Sequence, residues 1–380
     1  RQVERAGLPP YRIAQHDLRG LDAHRQGQAL AATRHALLAH ATPLGGWPSF
    51  NLSVSWLDGS RACLHLCFDL LLVDSTSIGL LLVELIRLYT DAAELPAPPA
   101  LSFAQYQRAV ERFAHSAGHA VALEYWNQRF ATLPGGPQLP QLQPPRAAGH
   151  RRIAGQLPAW AALKQQALAR GLAPGQVLLA AYLEVLYAWN DHQPLAVVVP
   201  GWERLPVHPE IERVVGDFTT LSWIERTQAP QRFNERLADI AQQHASDLAQ
   251  RPVSGLQALR RVMLRQRKRP LRYPVVFTNL ITPLALPAGP FELGPAISKT
   301  PQVLLDNLSH EAAGVLHCAW DFAAGVYAPA MVQEMVDGYL RLLAELARDP
   351  HTWQRRDFDD IVRARPQAYA TADDKLEGVV

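Results

Sequence analysis

The segment Asp69-Leu-Leu-Leu-Val-Asp74-Ser-Thr-Ser77 places two acids five residues apart, where a strand is expected to end and a helix to begin. Upstream, residues 50–56 and 62–68 have the composition of β-strands, and Asp58-Gly59 between them is a hairpin signal. Downstream, apolar residues recur at helical spacing from Ile78 to Leu88. By spacing alone, the two acids are most simply interpreted as a turn acid and an acid at the start of a helix.

The bulk properties predict a large globular protein. The chain has 380 residues, of which 48% are hydrophobic and 19% charged, and its formal net charge is +2. A single hydrophobic core stops growing near about 250–300 residues, so we expect this chain to form two lobes. The small net charge gives no reason to expect a nucleic-acid partner. No apolar run has the ~20 residues of a membrane span, and the first residues do not form a signal peptide, so a cytoplasmic protein is predicted.

Two further clusters have simple interpretations. Cys63, His65 and Cys67 alternate along one strand and share a face. Zinc needs three or four ligands in a geometry that a flat strand rarely supplies, so we predict core packing and no metal site. The basic run from Arg260 to Arg269 is interpreted as a solvated helix face and loop, with contact to an acidic partner protein as the alternative.

The pattern of strands and helices predicts two α/β lobes joined by a crossover. Residues 1–133 form the N-terminal lobe with the motif loop, and residues 134–150, rich in Pro, Gly and Gln, form the crossover. Residues 151–350 form the C-terminal lobe, followed by a linker at 351–380. Strands are also predicted near 195–199, 218–224, 273–279, 301–308 and 314–321. Helices are predicted near 76–90, 102–115, 121–132, 158–170, 174–189, 230–249, 254–266 and 329–347.

Seven landmarks, in order along the chain, resemble the heterocyclization domains of nonribosomal peptide synthetases, which are relatives of condensation domains. The motif around Asp69 resembles their DxxxxDxxS, which stands where ordinary condensation domains carry HHxxxDG. The other six are Arg34-His35 (RHxxL), Tyr125 to Pro140 (YWxxRxxxLPxxPxLP), Arg204 to Pro209 (RxPxHP), Val214 to Thr219 (VVGDFT), Pro274 to Thr278 (PVVFT) and Thr300 to Asp306 (TPQVWLD). All seven lie within about residues 34–322, and the resemblance covers nearly the whole chain.

The resemblance implies the fold of that family, an α/β structure with two chloramphenicol-acetyltransferase-like lobes facing each other around a tunnel. Members of the family open with a motif like FPLTxxQxAYxxGR, which this sequence lacks. The N-terminal lobe is therefore expected to be incomplete.

The resemblance also implies an enzyme with two activities. The first joins a carrier-bound acyl or peptidyl thioester to the amine of a carrier-bound Cys, Ser or Thr. The second closes a thiazoline or oxazoline ring with loss of water, as in the biosynthesis of siderophores and other natural products. Both substrates arrive on the phosphopantetheine of upstream and downstream carrier proteins, in a synthetase that also has an adenylation domain, and no cofactor is bound directly.

The implied catalytic residues are Thr278, Asp306 and Asp69, while Asp74 is implied to be structural and paired with Arg204. Ring closure needs a group that moves protons, and Asp306 can do this if its surroundings hold its pKa near the working pH. From the residues alone, Thr278 is an ordinary strand residue and Asp306 a strand-end acid. Four further side chains are predicted to line the tunnel: Ser77, Asn279, Gln302 and Asn307.

The chain departs from the family pattern near the implied cyclization site, and these departures affect ring closure more than condensation. The departing residues are Glu203, Asn279, Leu304 and Asn307-Leu308. One alternative is therefore the same fold performing condensation only. A second is a non-catalytic domain that binds carrier proteins, against which the retained Thr278 and Asp306 argue. A third is a stand-alone acyltransferase, against which the absent HHxxxDG argues.

Overall fold

The computed structural model describes residues 7–39, 46–91, 96–113, 116–144, 149–202, 204–228, 231–266, 272–281, 290–292, 294, 298, 300 and 302–363. The chain divides into two compact units. One comprises Arg1–Leu95 with Arg213–Phe218, and the other comprises Pro96–Glu212 with Thr219–Val380. Glu203, Pro301, residues 267–269 of the basic run and residues 364–380 of the predicted linker lie outside the described residues.

The first unit contains a three-stranded sheet and two helices. In chain order its elements are β1 (Ala14–Asp17), α1 (Ala23–Ala39), β2 (Phe50–Trp56), β3 (Ala62–Phe68) and α2 (Ser75–Asp91). The β2–β3 hairpin is antiparallel, as predicted, and β1 pairs with β2 in parallel. In the turn, the Asp58 carboxylate accepts hydrogen bonds from the backbone N–H groups of Ser60 and Arg61, which explains the turn signal.

The second unit is built on a mixed six-stranded sheet. Its strands are β4 (His150–Leu157), β5 (Leu195–Gly201), β6 (Thr220–Arg226), β7 (Val275–Asn279), β8 (Leu305–Ala312) and β9 (Val315–Ala323). Its helices are α3 (Phe103–Phe113), α4 (Ala117–Thr132), α5 (Trp160–Leu168), α6 (Pro174–Trp189), α7 (Phe233–Ala249), α8 (Gly255–Gln266), α9 (Pro329–Arg348) and α10 (Asp359–Val362). The strand order is β4-β9-β8-β7-β5-β6, with β5, β7 and β8 parallel and the other pairs antiparallel.

The two faces of this sheet differ in chemistry. One face packs against α5, α6, α7 and α9 and forms the main core, to which Phe277, Leu305 and Trp320 belong. On the other face, α4 and α8 cover the part near β5 and β6 with apolar contacts. Because side chains alternate along a strand, Asp306 lies on the face opposite to its neighbour Leu305. The polar part of that second face, over β4, β9 and β8, carries the candidate site.

The landmark that begins with Tyr125-Trp126 has a structural explanation. The Tyr125 hydroxyl donates to the buried Asp247 carboxylate at 2.5 Å, and Arg129 donates to the Trp223 carbonyl at 2.6 Å. The Trp126 ring stacks on Phe130 at a centroid distance of 5.2 Å. Burial raises the pKa of Asp247, while its bond from Tyr125 and the charge of Arg129 oppose that change. These residues therefore hold α4 against β6 and α7.

The predicted strands and helices are all present among the described residues, with four additions. β1, α1 and the short helix α10 were not predicted, and the second part of the chain opens with the strand β4 rather than a helix. The helices α3 and α4, predicted as part of the N-terminal lobe, group with the second unit. The described part of the predicted linker is packed, because Trp353 and Val362 are fully buried. No helix in the described part of the chain has the length and apolar character to cross a membrane.

Candidate functional site

Thr278 and Asp306, which lie 28 residues apart in the chain, are in direct contact. They stand on the adjacent parallel strands β7 and β8, where Val276 is the register partner of Asp306. The Thr278 hydroxyl donates to Asp306 Oδ1 at 2.8 Å. Thr278 is 9% exposed, and Asp306 is partly buried. The structure thus brings together the two residues implied to carry cyclodehydration.

The surroundings of Asp306 suit a group that exchanges protons near neutral pH. Burial raises the pKa of the Asp306 carboxyl from its ordinary value of 3.8 to about 7. The hydrogen bond from Thr278 opposes this shift, the negative charge of Asp321 adds to it, and the positive charge of Arg152 opposes it. A pKa near the working pH is what a general acid–base group requires, since both protonation states are then populated.

A row of charged residues crosses the polar face through Asp306. Asp321 on β9 is its direct cross-strand partner, and Arg152 on β4 is the partner of Asp321. Arg152 donates through Nε to Asp321 Oδ1 and through Nη2 to Oδ2, both at 2.6 Å. Arg152 and Asp321 were not predicted as site residues. The signal available for them was the alternation of polar and apolar residues along 150–157 and 315–323.

A second polar row lies four residues further along the same strands. His310 and His317 are cross-strand partners whose rings stack at a centroid distance of 5.0 Å, and Gln156 is the partner of His317. Burial lowers the pKa of His310, and the nearby His317 and Arg152 act in the same direction. Between the two rows lie Ala154 and Ala319, which are small, and Leu308. One apolar row therefore separates the two polar rows on this face.

Three predicted tunnel residues of the second unit are placed differently from Asp306. Asn307 is fully buried on the opposite face of β8, where its amide donates to Ser309 Oγ at 3.2 Å. Asn279 follows Thr278 and also lies on the other face, with its side chain against Gly175 of α6. Adjacent strand residues alternate between faces, so Asn307 and Asn279 do not share the surface of Asp306. Gln302 is exposed in the turn before β8.

In the first unit, the DxxxxDxxS motif binds the VVGDFT segment. Asp74 is 1% exposed, and its carboxylate accepts from the backbone N–H of Ser77 at 2.7 Å and of Phe218 at 3.1 Å. The Ser77 hydroxyl donates to the Gly216 carbonyl at 2.8 Å. Ser77 is fully buried, and its place on a substrate path stays a prediction. Asp74 and Ser77 therefore cap α2 and hold a second landmark in place.

Asp69 and Arg204 lie in the segments that follow β3 and β5. Asp69 Oδ1 accepts from the Leu71 backbone N–H at 2.9 Å, which is the bond of a turn acid. Arg204 is 6% exposed, and its guanidinium donates to the Trp202 carbonyl at 3.4 Å. Because Arg204 belongs to the second unit, its predicted pairing with Asp74 stays a prediction, as does the tunnel. Among the described residues there is no group of three or more His, Cys, Asp or Glu side chains that could hold a metal ion.

The comparisons with known proteins agree with these landmarks. The family model described as Condensation domain matches residues 17–357. "Pyochelin synthetase PchF" of Pseudomonas aeruginosa is 32% identical over 371 residues, which cover 95% of this chain and 20% of that protein. "Phenyloxazoline synthase MbtB" of Mycobacterium tuberculosis is 30% identical over 366 residues, covering 92% of this chain and 25% of that protein. The chain thus spans a quarter or less of these relatives' length.

A solved structure gives the same result at the level of the fold. The "EpoB NRPS cyclization-docking bidomain from Sorangium cellulosum" superimposes with a TM-score of 0.79 at 29% identity, covering 91% of this chain and 72% of that one. These similarities confirm both the fold class and the family resemblance that the seven landmarks predicted.

Proposed function

Because the chain belongs to the condensation-domain family, we propose that it is a heterocyclization domain that condenses two carrier-bound substrates and then closes a thiazoline or oxazoline ring. The observation that carries this proposal is the hydrogen bond between Thr278 and Asp306 on the polar face of the sheet. The names of the relatives, a pyochelin synthetase and a phenyloxazoline synthase, support the same chemistry. The partners are carrier proteins bearing phosphopantetheine and the adenylation domain that loads one of them.

Condensation needs positioning more than acid–base chemistry. The amine of the carrier-bound Cys, Ser or Thr attacks the thioester carbonyl, a C–N bond forms, and the C–S bond breaks. The thiol of the donor arm leaves with the proton that the amine loses. A thioester is already activated, so holding the two substrates together can supply about 7–11 kcal/mol of the barrier.

Ring closure is the step assigned to Asp306. The side-chain sulfur or oxygen bonds to the amide carbon, whose carbonyl oxygen becomes a hydroxyl. That oxygen then leaves as water, with one hydrogen from the thiol or hydroxyl and one from the nitrogen, while a C=N bond forms. No proton is gained or lost overall. Asp306 therefore accepts a proton at one stage of ring closure and donates it at another. Its pKa of about 7 favours both transfers.

Thr278 has a positioning role in this scheme. Its single hydroxyl hydrogen is donated to Asp306 Oδ1, so the hydroxyl holds the carboxyl group and leaves Oδ2 to carry the proton. The Thr278 hydroxyl therefore donates to Asp306 and not to the departing oxygen. Asp69, with its carboxylate bound to the turn of the motif, is assigned to holding that turn.

The test is reconstitution with two loaded carrier proteins, followed by the intact mass of the acceptor carrier. We expect Asp306→Asn and Thr278→Val to abolish the loss of water while substantial amide formation remains. Asp239→Asn, which removes an exposed acid on α7, is the matched control and should behave as wild type. Equal loss of both steps in a folded Asp306→Asn variant would contradict the assignment.

The second candidate is a domain that condenses without closing a ring. The observation that favours it is Leu304, which stands where the family has tryptophan immediately before β8 and is packed against the main core. A wild-type domain that forms the amide but never loses water would support this candidate instead.

A further inference from the structure

The charged row on the polar face places a like charge directly beside Asp306. Asp306 and Asp321 are opposite each other on the antiparallel strands β8 and β9, and their side chains point to the same face. Directly opposite residues have Cβ atoms about 4.5–5.5 Å apart, and like charges in such pairs are unfavourable. A sheet built only for stability would not carry this pair of acids, so the row calls for a functional reason.

Arg152 fixes the position of the Asp321 carboxylate. Its guanidinium binds both oxygens of Asp321 at 2.6 Å in a two-pronged arrangement, and Asp321 is only 4% exposed. Such charge-assisted pairs are geometrically specific as well as strong. The negative charge beside Asp306 is therefore held at one place, and the positive charge that neutralises it lies on the side of Asp321 away from β8.

A small cavity lies beside the two acids. The volume that the centre of a water molecule can occupy in it is about 10 Å³, which is enough for roughly one water. The groups that face Asp306 come from several elements: Thr278 on β7, Asp321 on β9, Arg152 and His150 on β4, and Ser298 and Thr300 before β8. Tyr182 of α6 approaches from behind the sheet.

We propose that Arg152 and Asp321 are a positioning pair that sets how firmly Asp306 holds its proton near neutral pH, with Asp321 favouring the protonated form and Arg152 opposing it. This inference rests on the proposed function in so far as that proton serves ring closure. Asp321 supplies a fixed negative charge that disfavours ionisation of Asp306. Arg152 holds Asp321 in place. Because Arg152 also adds a positive charge further away, it reduces the influence of Asp321 on the ionisation of Asp306. The two members of the pair therefore act on Asp306 in opposite directions.

The test uses three variants of the whole chain, a fourth that assigns the NMR signal, and two readouts. Asp321→Asn removes the negative charge, Arg152→Gln removes the positive charge, and Asp239→Asn is the exposed control. The first readout is the titration of the Asp306 carboxyl carbon by ¹³C NMR, with the signal identified by its absence in Asp306→Asn. The second is the pH dependence of water loss in the reconstituted reaction.

Opposite shifts are expected in the two variants. The midpoint of the Asp306 titration should fall by about one pH unit in Asp321→Asn and rise in Arg152→Gln. The fall in the rate of ring closure at alkaline pH should shift in the same direction as this midpoint, while the pH dependence of amide formation stays unchanged. Midpoints that stay at the wild-type value, or that move in the same direction in both variants, would overturn the proposal, because a merely structural pair would give no opposite shifts.

The titration also separates this proposal from the proposed function. A wild-type domain that forms only the amide would refute ring closure, and opposite shifts of the Asp306 midpoint would still support the electrostatic role of the pair. If the wild type and the folded Asp321→Asn and Arg152→Gln variants all closed rings with the same pH dependence, the role of the pair would be overturned. The proposed function would then still stand.

Discussion

Replacing Asp306 by asparagine should make the protein's stability depend less on pH. The carboxyl has a pKa of about 7 in the folded protein against an ordinary value of 3.8. Between these values the folded chain keeps the proton and the unfolded chain releases it. The free energy of unfolding of the wild type therefore falls as the pH rises through this window, and the change is complete once the pH exceeds the folded pKa.

The size of the effect follows from the pKa difference. Each unit corresponds to about 1.36 kcal/mol, so about two units between pH 5 and a pKa of 7 set a ceiling of about 3 kcal/mol. Asp306 retains some contact with solvent, which reduces the penalty, and we expect about 1–2 kcal/mol. Asparagine carries no charge at either pH and keeps an oxygen that can accept from Thr278. The free energy of unfolding of the variant, relative to the wild type, should therefore increase as the pH rises.

Urea unfolding near pH 5 and near pH 8 measures this difference. The free energy of unfolding of Asp306→Asn, relative to wild type, should be more favourable near pH 8 by about 1–2 kcal/mol. Asp239→Asn should give the same difference from wild type at both pH values, because its acid is exposed. If Asp306→Asn also gave a constant difference, the raised pKa of Asp306 would be refuted, and with it the reasoning about proton exchange.

Three further predictions concern the framework around the site. Asp74→Ala should lower the melting temperature more than Asp69→Ala, because Asp74 is buried and accepts from two backbone N–H groups; equal melting temperatures would contradict its structural role. Tyr125→Phe should lower the free energy of unfolding by about 1–2 kcal/mol, since it leaves a buried carboxylate of α7 without one donor, and urea unfolding would reveal it. Gly338→Ala should destabilise the protein by about 1–3 kcal/mol, because the added carbon meets the backbone of α10; an increase in stability, the usual result in a helix, would contradict this close packing.

The hairpin and the long helices could be predicted because their signals are local. The strands β2 and β3 were predicted with their observed bounds, since Asp58-Gly59 fixes the turn between them. The strand β4 was missed because His150–Leu157 contains only two large apolar residues, Ile153 and Leu157, and the rest of its alternation is polar or small. Arg152, which lies on that strand, was therefore not predicted as a site residue.

The pairing within the site depends on sheet order, which the sequence does not state. Arg152 and Asp321 are 169 residues apart, and they meet only because β9 lies between β4 and β8. Thr278 and Asp306 were found through the family resemblance and not through spacing. Asn307 lies on the face opposite to Asp306 for a reason visible in the sequence, because a strand residue adjacent to Asp306 must face the other way.

The most direct test of the proposed function is whether the wild-type domain removes water from the amide it forms. Carrier proteins loaded with an acyl thioester and with cysteine, serine or threonine would be incubated with the domain, and the acceptor carrier would be weighed intact over time. We predict that the amide appears first and then loses one water, and that Asp306→Asn stops at the amide. A wild-type product that remains at the mass of the amide with all three amino acids would contradict the assignment of ring closure to this chain.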